Sequence, residues 1–354
     1  MANWLSGYTT RKKITIDYTK IDDDLTDFPV LVKLTSSNFD FSKANSDGFD
    51  VRFTSDNGTT LLKYERERHD SDNEVAEYWV KIPSISSTED TDFYLYFRSL
   101  DTADGADPTN VWDSSFKMVQ HMNDKTTSTI EDSTSNNNDG TKKGANEPIE
   151  ADGKVAKAQD FDGTDDYITV PDSSSLDITG SITLEALIKP DTVSGYRTFV
   201  CKGRTSASVE NTNYAFRQYG ANLDFYYRYN TIWHAYTVSN QFSVGNWYHV
   251  AVTYTFGTGT SIKVYINGVQ KTGSWGESCT GNDPAQTNDI SLKIGKIYDA
   301  SSELFDGLID EVRISNVARS AAWIKASYYS GNNSLVSYGS EEAIITNRRR
   351  LLII

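Results

Sequence analysis

The sequence predicts an all-β chain in which an N-terminal antiparallel β-sandwich is followed by a larger β-jelly roll. Three observations carry this reading. Short runs of alternating apolar and polar residues recur along most of the chain, with Asx, Gly and Ser clusters between them. Aromatic residues make up 12% of the 354, with 21 Tyr, more rings than a chain without packed cores carries. A helical pattern appears only over residues 320–328, where Ser320 can cap and Ala321, Ala322, Trp323, Lys325 and Ala326 favour a helix.

The elements follow in order. In residues 1–100, period-2 runs at 13–18, 29–34, 50–53, 78–82 and 93–97 alternate with turns such as Asp22-Asp23-Asp24 and Ser55-Asp56-Asn57-Gly58, a sandwich pattern. Residues 101–110 have the small, acidic, Pro/Gly composition of a linker. From 111 to 339, roughly ten strand-like runs fit two packed sheets. Trp247 to Tyr254 alternates as a strand with one face in a core, and Val264-Tyr265-Ile266-Asn267-Gly268 ends in the Asn-Gly signal of a tight hairpin.

Charge and termini exclude several classes. The net charge of −15 repels nucleic-acid phosphates and anionic membranes and favours cations. No window approaches the roughly 20 apolar residues of a membrane span, and the N-terminus has no signal-peptide core. The expectation is a chain made without a leader and not inserted in a membrane. Residues 340–354 combine Ile344-Ile345, Arg348-Arg349-Arg350 and Leu351-Leu352-Ile353-Ile354. A frayed end and a docking peptide both fit, and the apolar residues favour the peptide. The two cysteines, Cys201 and Cys279, allow one bridge or two free thiols.

Six blocks carry a resemblance. They are Asp132-Ser133 with Asn136-Asn137-Asn138-Asp139-Gly140-Thr141, Phe161-Asp162-Gly163-Thr164-Asp165-Asp166-Tyr167-Ile168, the run from Ile182 to Pro190, Trp247 to Tyr254, Val264 to Gly268, and Phe305-Asp306-Gly307-Leu308-Ile309-Asp310-Glu311-Val312-Arg313-Ile314. In this order they resemble a laminin-G-like, concanavalin A-like jelly roll over about 111–338. The part before them, with Asp104-Gly105-Ala106-Asp107-Pro108-Thr109-Asn110-Val111-Trp112-Asp113, is similar to an uncharacterised β-sandwich family that commonly precedes such domains.

Concanavalin A-type folds include hydrolases, which need two carboxylates about 5 Å apart for retention or farther apart for inversion. The resemblance implies that retaining members carry Glu, Asp and Glu alternating on one strand. The nearest stretch, Ile309-Asp310-Glu311-Val312, lacks the first Glu and sends its acids to opposite faces, and Glu185 stands alone. No Gly-x-Ser-x-Gly elbow, His-Glu-x-x-His helix or P-loop occurs, and His69, His121, His234 and His249 lack ligand spacing. The expectation is no catalytic residues and no enzyme.

The resemblance also implies a structural calcium ion between the acidic loop and the last strand, on Asp132 and Asp310. Asn137 and Asp139 join this set because calcium takes oxygen ligands from loops. The alternative is an Asx-rich turn bonding its own backbone. For carbohydrate, residues 211–240 hold many aromatic and amide side chains, and Trp233, His234 and Tyr236, with Trp275 in the turn at Gly273-Ser274-Trp275-Gly276, are the expected ligand-binding residues.

The functional expectation is a non-enzymatic recognition or adhesion protein with a lectin-like jelly roll. It would be a phage or virus particle surface component, such as a head fibre, decoration or tail protein. It would bind host glycans and dock to other particle proteins through its tail. The alternatives are a polysaccharide-degrading enzyme with an unrecognised site, a purely structural protein-protein module, and an extracellular or cytoplasmic location. A homo-oligomer stays open, since no heptad or repeat supports one.

Overall fold

The computed structural model describes residues 3–100, 103–143, 147–204, 206, 211–276, 279–297 and 303–344. The chain forms two compact units, residues 1–107 with 333–354 and residues 108–332. Both are antiparallel β-structures. Among the described residues no helix is long and apolar enough to cross a membrane.

The first unit has a four-stranded sheet in the order Val336–Ala343, Tyr8–Ile16, Thr91–Ser99, Arg52–Ser55 and a three-stranded sheet in the order Leu25–Thr35, Val75–Ile85, Tyr64–Asp70. Alternation puts Ile14, Ile16, Val30, Val32, Phe53, Tyr78, Val80, Phe93 and Leu95 inside. Tyr64–Asp70, read Tyr-Glu-Arg-Glu-Arg-His-Asp, is a strand that the sequence reading missed. Its charges find partners, since Arg68 donates twice to Glu77 at 2.8 Å and Glu67 accepts from Trp79 Nε1 at 2.8 Å.

One boundary is corrected. Residues 336–343, expected at the end of the jelly roll and the start of a docking tail, form a strand of the first unit, with Ile14 opposite Tyr338 and Ile16 opposite Val336. The local pattern of that strand is β, but its partner lies more than 300 residues away in sequence, where no short-range signal reaches. Residues 345–354, with the three arginines, lie outside the described residues. The linker is pinned rather than loose where it is described: Arg66 grips Asp104 at 2.7 and 2.6 Å, and Lys63 donates to Asp107 at 2.6 Å.

The second unit is a jelly roll of two facing sheets. The ten-stranded sheet runs in the order Ser274–Trp275, Ile232–Val238, Asn222–Tyr229, Tyr214–Tyr219, Tyr196–Lys202, Leu292–Ile294, Ile168–Val170, Gly140–Lys142, Thr129–Ile130, Asp124–Thr126. The eight-stranded sheet centres on Asp306–Ser315, Ser181–Pro190 and Tyr248–Thr255. Their inner faces share one core that includes Leu184, Ile188, Phe216, Phe225, Tyr227, Val250, Val252, Ile309 and Ile314. Asn267 and Gly268, both at positive φ, close the hairpin that pairs Ile266 with Val269, as expected.

Helix α1, Ala321–Gly331, is capped by Ser320, whose side chain accepts from Trp323 N. It lies on the outer face of the eight-stranded sheet. The Tyr328 ring is 6.3 Å from His249, and a Cβ on Gly331 would come within 4 Å of Leu187. One outer face is thus occupied by the chain itself.

A chain ending at residue 332 keeps α1 and loses the strand Val336–Ala343. Its first unit is expected to be less stable by about 3 kcal/mol, from several cross-strand pairs of 0.2–1 kcal/mol each. The jelly-roll transition should stay in place. Denaturant unfolding followed for both units checks this, and unchanged transitions would contradict the pairing.

Candidate ligand-binding face

Three neighbouring strands, Tyr214–Tyr219, Asn222–Tyr229 and Ile232–Val238, send alternate side chains to opposite faces of the ten-stranded sheet. Tyr214, Phe216, Phe225, Tyr227 and Val238 enter the core. Ala215, Tyr226, Trp233 and Ala235 gather with Cys201 on the outer face, together with Arg217 and Asp224.

A continuous stack crosses this face. The Tyr219 and Tyr196 rings lie nearly parallel with centroids 4.2 Å apart. The Arg217 guanidinium carbon is 4.0 Å from the Tyr196 ring and 4.2 Å from the Tyr226 ring. Tyr226 in turn meets Trp233 at 5.2 Å, and the guanidiniums of Arg228 and Arg204 lie 4.8 and 5.2 Å from that indole.

Ion pairs hold the centre of the stack. Arg217 Nη1 donates to Glu303 Oε2 at 2.8 Å, and its Nε lies 3.7 Å from Asp224 Oδ2. Burial pushes the Asp224 carboxyl up while Arg217 pulls it back, and burial pushes the Tyr226 hydroxyl well above its ordinary value. Tyr226 is buried, whereas Tyr196 and Tyr219 at one end are 40% and 46% exposed and Trp233 at the other is half-buried.

The four expected ligand residues do not form one site. Trp233 joins the outer stack, while His234 turns inward, stacked on Tyr227 at 4.5 Å with Nε2 3.0 Å from Asp283. Burial lowers the His234 pKa despite that carboxylate, so the ring is neutral at pH 7. Tyr236 and Trp275 meet each other at 5.3 Å against the core edge. The Tyr236 hydroxyl accepts from Gly273 N, and Trp275 Nε1 donates to Gly259 O, both at 3.0 Å. All three pack against neighbouring residues of the domain, apart from the outer stack. Tyr196, Arg217 and Glu303 were missed. Period-2 alternation could have marked Arg217, but nothing local links Glu303 to this face.

Residues 162–325 match the family described as the concanavalin A-like lectin/glucanases superfamily, and residues 47–139 match a domain of unknown function (DUF2341). The second unit is a concanavalin A-like domain. No curated protein matches the chain.

Similar solved structures include domain 4 of AbnA, a GH43 extracellular arabinanase from Geobacillus stearothermophilus, in complex with arabinotriose. It shows 23% identity over 60% of this chain and 97% of that one, with a TM-score of 0.47. The binding domain of Paraclostridial Mosquitocidal Protein 1 shows 14% identity over 61% of this chain and 52% of its own, TM-score 0.47. The receptor binding domain of botulinum neurotoxin mosaic serotype C/D shows 14% over 60% and 50%, TM-score 0.47. The chain spans about half the length of these two toxin domains.

In this concanavalin A-like domain the acids expected to hold calcium do not fit that task. Asp132 Oδ1 accepts from Val119 N at 2.9 Å and Thr134 N at 3.0 Å, and its Oδ2 accepts from Thr134 Oγ1 and Asn138 N, both at 2.8 Å. Its lone pairs are filled by the protein's own donors. Asp139 accepts from Asp132 N, and Asp310 Oδ2 accepts from Lys154 N and Val155 N. Asn137 is exposed in the left-handed region and donates to Ser135 O. Among the described residues, Asp132, Asp139 and Asp310 belong to no group of three His, Cys, Asp or Glu ligand atoms within 4.8 Å of one another.

A cation does tie loops together in this domain, but it is an ammonium. Lys202 Nζ, fully buried, donates to Asp172 Oδ1 at 2.7 Å, Ile290 O at 2.8 Å and Asn288 O at 3.0 Å, with Asp177 at 3.2 Å. The acids nearest a hydrolase pattern are similarly engaged. Glu311 bonds His121 at 2.6 Å and accepts from Arg313 at 2.6 Å, and Glu185 lies 3.2 Å from His249 Nε2.

Two outcomes follow. Asp132→Ala is expected to cost about 3 kcal/mol, because it strands buried backbone amides, and to do so equally in calcium and in EDTA; a cost seen only in calcium would restore the metal. Burial alone would raise the Glu185 pKa, but the His249 bond and the nearby Arg313 and Arg319 hold it below 4.5. Its contribution to stability is therefore present above pH 4.5 and lost as the pH falls through the lower folded-state value. Unfolding curves below that pH should be flatter for Glu185→Gln than for the native chain.

Proposed function

We propose that the chain is a non-enzymatic recognition protein whose jelly roll binds glycans on the outer face of the ten-stranded sheet. The stack from Tyr219 to Trp233 carries this reading. Aromatic rings offer apolar faces to the C–H faces of sugars, and the partly exposed Arg217 and Thr237 supply polar atoms for hydroxyls beside them. On the other sheet, part of the outer face lies under α1. Engagement of Asp310, Glu311 and Glu185 with fixed partners favours binding over turnover.

Glycan-array binding of the purified chain tests the proposal. Trp233→Ala and a Tyr196→Ala/Tyr219→Ala double variant are expected to lose binding at least tenfold with the fold retained. Trp275→Ala should mainly lower stability. Silence on every glycan, or undiminished binding by both surface variants, would defeat the reading. A place on the surface of a phage or virus particle is a separate part of the proposal, and mass spectrometry of purified particles decides it.

A further inference from the structure

Resting on the glycan reading, we infer that the ligand is a linear oligosaccharide bridging two platforms, rather than a single terminal sugar. The first platform is the Tyr196/Tyr219 pair, whose rings are both substantially exposed. The second is Trp233, which is half-buried. The strand pairing sets the distance between them. Tyr219 lies opposite Asn222 and Trp233 opposite Arg228, on either side of the strand Asn222–Tyr229. Six residue steps along that strand and two strand spacings across it separate the platforms by about 20 Å.

A single sugar ring is comparable in size to one aromatic side chain and covers one platform at a time. The surface between them is not bare. Arg217, Asp224 and Thr237 form one cross-strand row, with Arg217 opposite Asp224 and Asp224 opposite Thr237. Tyr226 and Ala235 form the next row. A chain running mainly along the strand direction would stack at each end and present hydroxyls to Arg217 and Thr237, the partly exposed members of the polar row, since Asp224 is buried. Tethering two weak contacts through one ligand makes the second intramolecular, so affinity grows with length until both platforms are reached and then levels off.

The test is an array carrying linear glucan, xylan, arabinan, mannan, galactan and chitin series, each from one to eight residues, probed with the full chain. On the series that binds, affinity is expected to rise at least tenfold from the monosaccharide to the longer members and then plateau. Tyr219→Ala and Trp233→Ala should each abolish that rise while leaving weak binding of short members. Monosaccharides that bind as tightly as octasaccharides, or a length dependence untouched by both variants, would overturn the inference and leave glycan recognition standing. No signal on any series would overturn both.

Discussion

Arg217 is the interaction on which the outer face depends. It is a cation on the middle of a sheet, where the inward neighbours on the same strand, Phe216 and Gln218, are fully buried. It is tolerable there because two rings sandwich the guanidinium and two carboxylates, Glu303 and Asp224, balance its charge. Its planar fork can stack and hydrogen-bond at once, which an ammonium could not do. Remove it and Tyr196 loses the support that holds its ring upright, while Asp224 is left buried against its desolvation cost. The stack is therefore a cooperative unit in which the buried centre sets the orientation of the exposed ends.

The two sheets divide the work of the jelly roll. Each must bury one face in the shared core, which leaves two outer faces to account for. On the eight-stranded sheet the chain covers its own surface with α1, and the polar groups beneath it pair off, as Glu185 does with His249. On the ten-stranded sheet the outer face is finished by side chains, and the finish is aromatic and cationic in a chain whose net charge is −15. A surface that runs against the composition of its own protein is a candidate for recognition.

Much of the fold was legible because period-2 alternation and turn chemistry are local. The runs at 93–97 and 247–254, the Asn267-Gly268 turn and the Ser320 cap all appear where the pattern placed them. What escaped was non-local or charged. Tyr64–Asp70 alternates charges instead of apolar residues, since its polar side chains are satisfied by partners across the sheet. Val336–Ala343 closes a sheet begun at Tyr8. The site was half legible for the same reason: alternation separated Tyr226 and Arg228 from Phe225 and Tyr227, but the choice among Trp233, His234 and Tyr236 needed the direction of a neighbouring strand.

The acidic residues have two readings, ions or turns, and several aspartates, Asp132 among them, are engaged in turns. Five aspartates accept the amide of a Ser or Thr two residues on: Asp17 from Thr19 at 3.0 Å, Asp40 from Ser42 at 3.2 Å, Asp113 from Ser115 at 2.8 Å, Asp132 from Thr134 at 3.0 Å and Asp162 from Thr164 at 2.8 Å. Each carboxylate supplies a partner to a backbone amide outside the regular strand pairing. An acid engaged in this way has fewer lone pairs for a metal. Loop acidity in a β-sandwich thus weighs toward calcium only where the acids are not already engaged by the protein's own donors, and in the loop beginning Asp132-Ser133-Thr134 the first acid is so engaged.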